Sequence, residues 1–188
     1  MNIALRTAVL LVSALQCTSC MTMGRVGNDA QPPDAGHAYF VLGVAPQNMD
    51  VTIFRGTIHD GMFQQDGIAA ATFSGMPEDG FVLGETHAGN SLAITFVIPH
   101  GVPGLPSRPM IPCGSGKTLT FSAPGGKVVY VGSVYYRVEG DGLAPAYRDD
   151  LEGARKFVAT RYPALAGLVE KGHPEMIEFG GTPGHVCP

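Results

Sequence analysis

Lys127-Val128-Val129-Tyr130-Val131-Gly132-Ser133-Val134-Tyr135-Tyr136-Arg137-Val138 is the stretch that decides the fold. In an extended chain successive side chains point to opposite faces. Val129, Val131, Ser133 and Tyr135 then share one face; Val128, Tyr130, Gly132, Val134 and Tyr136 share the other. Apolar groups on both faces predict a central strand covered on both sides. Before it, Lys117–Phe121 reads as another strand, and Pro124-Gly125-Gly126 as the turn between them. Further upstream, strands are predicted at Ala38–Val44, Val51–Ile58, Met62–Gln64, Ile68–Phe73, Phe81–Leu83 and Ser91–Ile98. They are separated by the turn signals Pro46-Gln47-Asn48, Asp60-Gly61, Asp66-Gly67, Pro77-Glu78-Asp79-Gly80 and Gly89-Asn90. About seven or eight short strands punctuated in this way argue for a mainly β, α+β fold, an antiparallel β-sandwich or barrel.

Downstream of Tyr147 the period changes. Leu151, Ala154, Phe157, Val158, Tyr162 and Leu165 recur at helical spacing. Asp149 or Asp150 is placed to cap the helix, and Glu152 adds negative charge to its first turn. Pro163 ends or kinks it, and a second helical turn is predicted at Ala164–Lys171. Met176–Phe179 is expected as a short edge strand.

The N-terminus carries a different signal. Met1–Thr7 has one charge, Arg6, and Ala8–Leu15 is a short apolar run. That is the pattern of an export signal, and it is shorter than the roughly 20 residues of a spanning helix. Thr18-Ser19-Cys20 resembles a bacterial lipobox, in which the cysteine is acylated and becomes the first mature residue. Cys17, preceded by Gln16, is the rival. The expected layout is residues 1–19 as lipoprotein signal peptide, 20–36 as flexible tether, and 37–188 as the β-sandwich domain with its C-terminal helix. Tyr130–Tyr136, Asp149-Asp150-Leu151-Glu152 and Arg161-Tyr162-Pro163-Ala164-Leu165, together with this signal, resemble Gram-negative lipoproteins of uncharacterised function that pair a β-sandwich with a C-terminal helix. The resemblance implies fold and location and transfers no catalytic residue.

Removal of 19 of the 188 residues takes away Arg6 and no acid, leaving 11 basic residues against 16 acidic ones. No Lys/Arg cluster exists, which argues against nucleic acid as a partner. With Cys20 acylated, Cys113 and Cys187 remain as an even pair, and a disulfide is the expected reading in an oxidising compartment. It would close a loop of about 75 residues, worth about 4 kcal/mol in the chain-entropy picture. The alternative is a metal held by Cys113 and Cys187 with His185 and His173, but His185-x-Cys187 is not a standard zinc spacing. No metal and no cofactor is expected.

Pro103, Pro106, Pro109 and Pro112 repeat every third residue, the period of polyproline II. They are either a rail for an envelope protein partner or a stiff crossover loop. Gly114-Ser115-Gly116-Lys117-Thr118 ends like a phosphate loop, but Ile111 stands where the motif needs glycine, and a strand pattern follows. Glu139-Gly140-Asp141-Gly142 reads as a turn rather than a calcium loop. His59-Asp60, His87, His100, His173 and His185 form no catalytic or zinc motif. The expected function is therefore a non-enzymatic binding or structural module in the cell envelope. It would face the periplasm at the outer membrane, held by its N-terminal lipid. The alternative is a periplasmic hydrolase-like enzyme with a site assembled from His59, Asp60 and His87. A small-ligand carrier would need an apolar cavity between the sheets.

Overall fold

A computed structural model describes residues 23–112, 116–183 and 185–186. Twelve strands and one α-helix are present among them, in the order β1 (His37–Ala45), β2 (Met49–His59), β3 (Met62–Gln65), β4 (Phe73–Gly75), β5 (Phe81–His87), β6 (Leu92–Pro99), β7 (Lys117–Phe121), β8 (Val128–Glu139), β9 (Gly142–Arg148), α1 (Leu151–Arg161), β10 (Val169–Lys171), β11 (Glu175–Thr182) and β12 (His185–Val186). They form two mixed sheets.

The first sheet centres on β8 and β1, which run parallel. β5 pairs antiparallel with the other edge of β1. The free edge of β8 is shared: β10 takes Val128–Tyr130 in parallel, and β9 takes Ser133–Glu139 in antiparallel. In the second sheet, β2 pairs with β3 and β6, β6 with β7, β7 with β11, and β11 with β3. Those five strands close a ring. β4 lies against β2, and β12 against β11. Phe63 and Phe179, both buried, stack 6.4 Å apart inside the ring. Ala93 and Ile111 pack against them. Five strands enclose little more than such side chains, so the barrel interior is packed core.

The mainly β reading therefore holds, with corrections. The sheets are mixed rather than purely antiparallel, and more strands are present than the turn signals indicate. Ile68–Phe73 is strand only at its end, because Gly67–Thr72 leaves the sheet and only Thr72 N–H returns, to the Ile53 carbonyl at 2.8 Å. The predicted second helical segment is one 3-10 turn, Pro163–Leu165, followed by β10. The Gly167 φ of +80° breaks the turn and releases Val169–Lys171 to β8. β11 is no edge strand; it closes the barrel.

β8 is covered on both faces, but Val134 and Tyr136 lie with Val129 and Val131 rather than with Val128 and Tyr130, because the register on β1 slips at Gly132 (φ +97°) and reverses the alternation beyond it. Val129, Val131, Val134 and Tyr136 join Phe40, Leu42, Ile53, Leu92 and Phe121 in the core between the sheets. Val128 and Tyr130 face α1 with Val41, Leu83, Phe157, Val158 and Tyr162. The result is three layers, barrel on sheet on helix. Asp150 caps α1, its Oδ1 accepting from Gly153 N–H at 3.0 Å. The Tyr130 hydroxyl accepts from Asp150 N–H at 2.6 Å and pairs with Ser133 Oγ at 2.9 Å, fixing where the helix starts on the sheet.

The segment expected as a tether is docked from Met23 onward. Ser74 N–H donates to the Met23 carbonyl at 3.0 Å, Glu85 N–H to Gly24 at 3.0 Å, and Val26 N–H to Leu83 at 3.2 Å. Met23–Val26 thus stitches β4 of one sheet to β5 of the other. Arg25 adds an ion pair to Glu78 at 2.7 Å and lies over the Phe73 ring. Val26 is buried in the helix-side core. Gly24 adopts φ +69°, and a Cβ there would collide with the Thr72 carbonyl oxygen. Only glycine fits this crossing.

Candidate functional site: a polar cleft at the β5 edge

A cleft of about 640 Å³ lies where the ends of β1 and β5 meet β2 and the irregular segment 66–72. That volume falls within the range of about 300–1,000 Å³ typical of ligand sites. Its walls include His37, Arg55, Asp66, Glu85 and His87, and Ala69–Ala71 give small side chains that leave the space open.

The register of β1 on β5 places His37 directly across from His87, with ring centroids 4.9 Å apart. Glu85 is two residues along, on the same face of β5. Asp34 turns the chain into β1: its Oδ1 accepts from Gly36 N–H at 2.8 Å and lies 2.9 Å from His37 Nδ1. The Asp34 carboxylate raises the His37 pKa above its ordinary 6.5, and Glu85 acts in the same sense. Its bond to His37 lowers the Asp34 carboxyl in turn. The pair is therefore ionised on both sides between the two titrations. The stabilisation from His37 is present below the ordinary imidazole pKa and lost as pH rises through the raised value. That from Asp34 is present above the ordinary carboxyl range and lost as pH falls through the lowered value. In an NMR titration, His37 is expected to titrate above 6.5 and to fall back towards it in Asp34→Asn. A His37 pKa unchanged by Asp34→Asn removes this account. Across the cleft, Arg55 Nε donates to Asp66 at 3.0 Å.

His87 is the one residue of the expected His59, Asp60 and His87 set that reaches this cleft. His59 and Asp60 lie at the β2–β3 turn, where Asp60 (φ +49°) and Gly61 (φ +78°) make a tight hairpin. His37 was not among the sequence candidates. Its signal was Asp34-x-x-His37 before a strand, a spacing that permits a turn closed by the carboxylate. His100 and His173 are exposed. Asp149, Asp150 and Glu152 are not paired with one another. Asp149 holds Lys171, Asp150 caps the helix, and Glu152 pairs with Arg155 at 2.9 Å. Glu139–Gly142 is the β8–β9 turn, and Lys117 and Thr118 begin β7, a strand rather than the helix a phosphate loop requires. Among the described residues no group of three or more His, Cys, Asp or Glu is placed to hold a metal ion.

Cys20, Cys113 and Cys187 lie outside the described residues. Pro103, Pro106 and Pro109 are exposed, and Pro112 is half-buried. They do not form one continuous rail. Leu105 N–H donates back to the Val102 carbonyl at 3.1 Å, and Gly101 and Gly104 have φ of +63° and +84°. Polyproline II has no internal hydrogen bonds and no positive φ, so the stretch is a folded loop pinned where Met110 bridges Val97. Behind it, Met110–Pro112, Leu119, Tyr136 and Leu143 line a second cleft of about 200 Å³. This is below the size of a ligand carrier's cavity. Burial there pushes the Tyr136 hydroxyl pKa upward.

No helix among the described residues is long and apolar enough to cross a membrane. No family model, no curated protein and no solved structure matches the chain.

Proposed function

We propose that this chain is a lipid-anchored protein of the cell envelope whose β-rich domain is a non-enzymatic binding module. Its ligand would enter the cleft of His37, Glu85 and His87. The observation that carries this reading is the cleft itself, large enough for a ligand and lined by hydrogen-bonding groups on rigid strand ends. The lipid anchor is carried by the Thr18-Ser19-Cys20 pattern, with the periplasmic side of the outer membrane as its site. An envelope protein partner would meet the exposed Pro103, Pro106 and Pro109 loop. Cross-linking in cells tests the cleft. A photo-reactive residue in place of Ala70 is expected to give an adduct that is lost on adding Glu85→Arg, whereas one in place of Val138 gives none. Equal adducts at both positions, or no effect of Glu85→Arg, would overturn the reading.

A disulfide between Cys113 and Cys187 belongs to the same proposal. β7 and β12 lie along one edge of β11. Gly116 accepts from Phe179 N–H at 3.2 Å, and Val186 pairs with Gly181. Gly116 and Val186 thus stand opposite Phe179 and Gly181, two positions apart along β11. Intact mass of the oxidised protein is expected to show both thiols joined; two free thiols would exclude the bond.

A second reading, a hydrolase-like enzyme, is favoured by one observation. Asp34 orients His37 and raises its basicity beside His87, as an acid–base pair requires. Loss of a measured hydrolysis in both His37→Gln and Asp34→Asn would support it over binding alone.

A further inference from the structure

We infer that the edge of the domain around Met23, Ile68 and Met76 rests directly on the bilayer, with the cleft opening beside the lipid headgroups. This rests on Cys20 bearing the lipid. From Cys20 the docked chain begins three residues on, and three extended residues reach only about 10 Å. Because Gly24–Val26 is fixed to β5 and Met23 to β4, the seam between the sheets cannot move further from the acyl chains than that reach. A long tether would have let any face approach the membrane. This one selects a face.

The selected face has the chemistry for it. Met23 is 41% exposed, Ile68 66% and Met76 45%, three of the seven large hydrophobic side chains exposed among the described residues. Met23 is bonded to Ser74, two residues before Met76, whose carbonyl accepts from Arg25 Nη2 at 2.5 Å. Ile68 stands on the segment that forms a cleft wall together with Gly24. Isolated exposed hydrophobics need no explanation, but apolar groups gathered around an anchor do. The charges near them, Asp66, Glu78 and Glu85, are mostly acidic, and Arg25 and Arg55 are already paired. The contact is therefore apolar, and zwitterionic lipid suffices.

The chain contains no tryptophan, so one can be introduced as a sole reporter. The purified lipoprotein carrying Ile68→Trp, Met76→Trp or Val138→Trp is reconstituted on phosphatidylcholine vesicles with brominated acyl chains. Val138 lies ten residues along β8 from the level of the seam, roughly 30 Å away at the rise of a strand. Tryptophan at 68 and at 76 is expected to lose about half its emission, as for a side chain at the headgroup–acyl boundary, equally at low and high salt. Tryptophan at 138 keeps its emission. All three sites are exposed, so none of the variants disturbs the core. Acylated, vesicle-bound protein with no quenching at 68 and 76, or with quenching at 138 alone, overturns the membrane face and leaves the anchor standing. Protein whose intact mass shows no acyl chains overturns both.

Discussion

Cys20→Ser is expected to move the protein from the membrane fraction to the soluble fraction, with its full signal peptide retained. The size of the effect follows from how acyl chains hold a protein. One chain gives marginal, reversible binding, while two or more make residence effectively stable, at about 0.8 kcal/mol per buried methylene. Without them, the proposed membrane face would offer only a few exposed side chains around Met23, too little to retain the domain. Fractionation with intact mass measures both parts of the expectation. A variant that stays membrane-bound at the size of the native protein removes the anchor. Cys17→Ser is the companion experiment and is expected to change neither property, which separates the two cysteines that compete for the role.

Phe40→Ala is expected to cost the fold about 3–5 kcal/mol, the range for deleting a fully buried phenylalanine. Phe40 is inaccessible to solvent and stands in β1 at the middle layer. Its ring meets Phe121 of β7 at 5.2 Å and Phe73 of β4 edge-on at 5.9 Å, so it joins the central sheet to two strands of the other. Gly84 lies beside it because any Cβ there would enter the ring. Alanine leaves a cavity between rigid sheets, which cannot collapse to fill it. Against a total stability of about 5–15 kcal/mol the loss is large. A fall in Tm of about 10 °C or more is the expected reading in thermal unfolding. Val138→Ala, on the exposed hairpin tip, should stay within about 0.5 kcal/mol. A Phe40→Ala protein as stable as that control would show that the layers are not joined through this ring.

Local signals in the sequence were readable where local physics decides. Two apolar faces on Val128–Val131 require cover on both sides, and the barrel and α1 provide it; the slip at Gly132 that moves Val134 and Tyr136 to the barrel side was not readable from the alternation. Asp60-Gly61 makes the expected hairpin, and Asp150 the expected cap. Pairing between distant strands was not readable. Nothing in Ala38–Val44 says that its neighbour is β8, in parallel, rather than β2, because both offer similar apolar surfaces. Met176–Phe179 reads as a short edge strand near the end of the chain. It became a barrel strand through the partners available on each side. The docking of Met23–Val26 was not readable for a related reason. Met23–Val26 is too short to show a period, and it is ordered by hydrogen bonds to strands some 50 residues away. Of the cleft, His87 was visible as a histidine near a turn, but its partner His37 emerges only from the β1–β5 register.

The parallel pairing of β1 with β8 also sets a timetable. A ribosome or export channel releases β1 first, yet its partner Val128 lies 89 residues behind Tyr39 in the chain. Until then Tyr39–Val44 has only β5 to pair with and presents an apolar, half-formed sheet to whatever is near. Contacts so distant in sequence close slowly, and an open edge of this kind is the usual starting point for misassembly. The last third of the chain, which supplies β8, α1 and the barrel-closing β11, therefore completes every layer begun by the first.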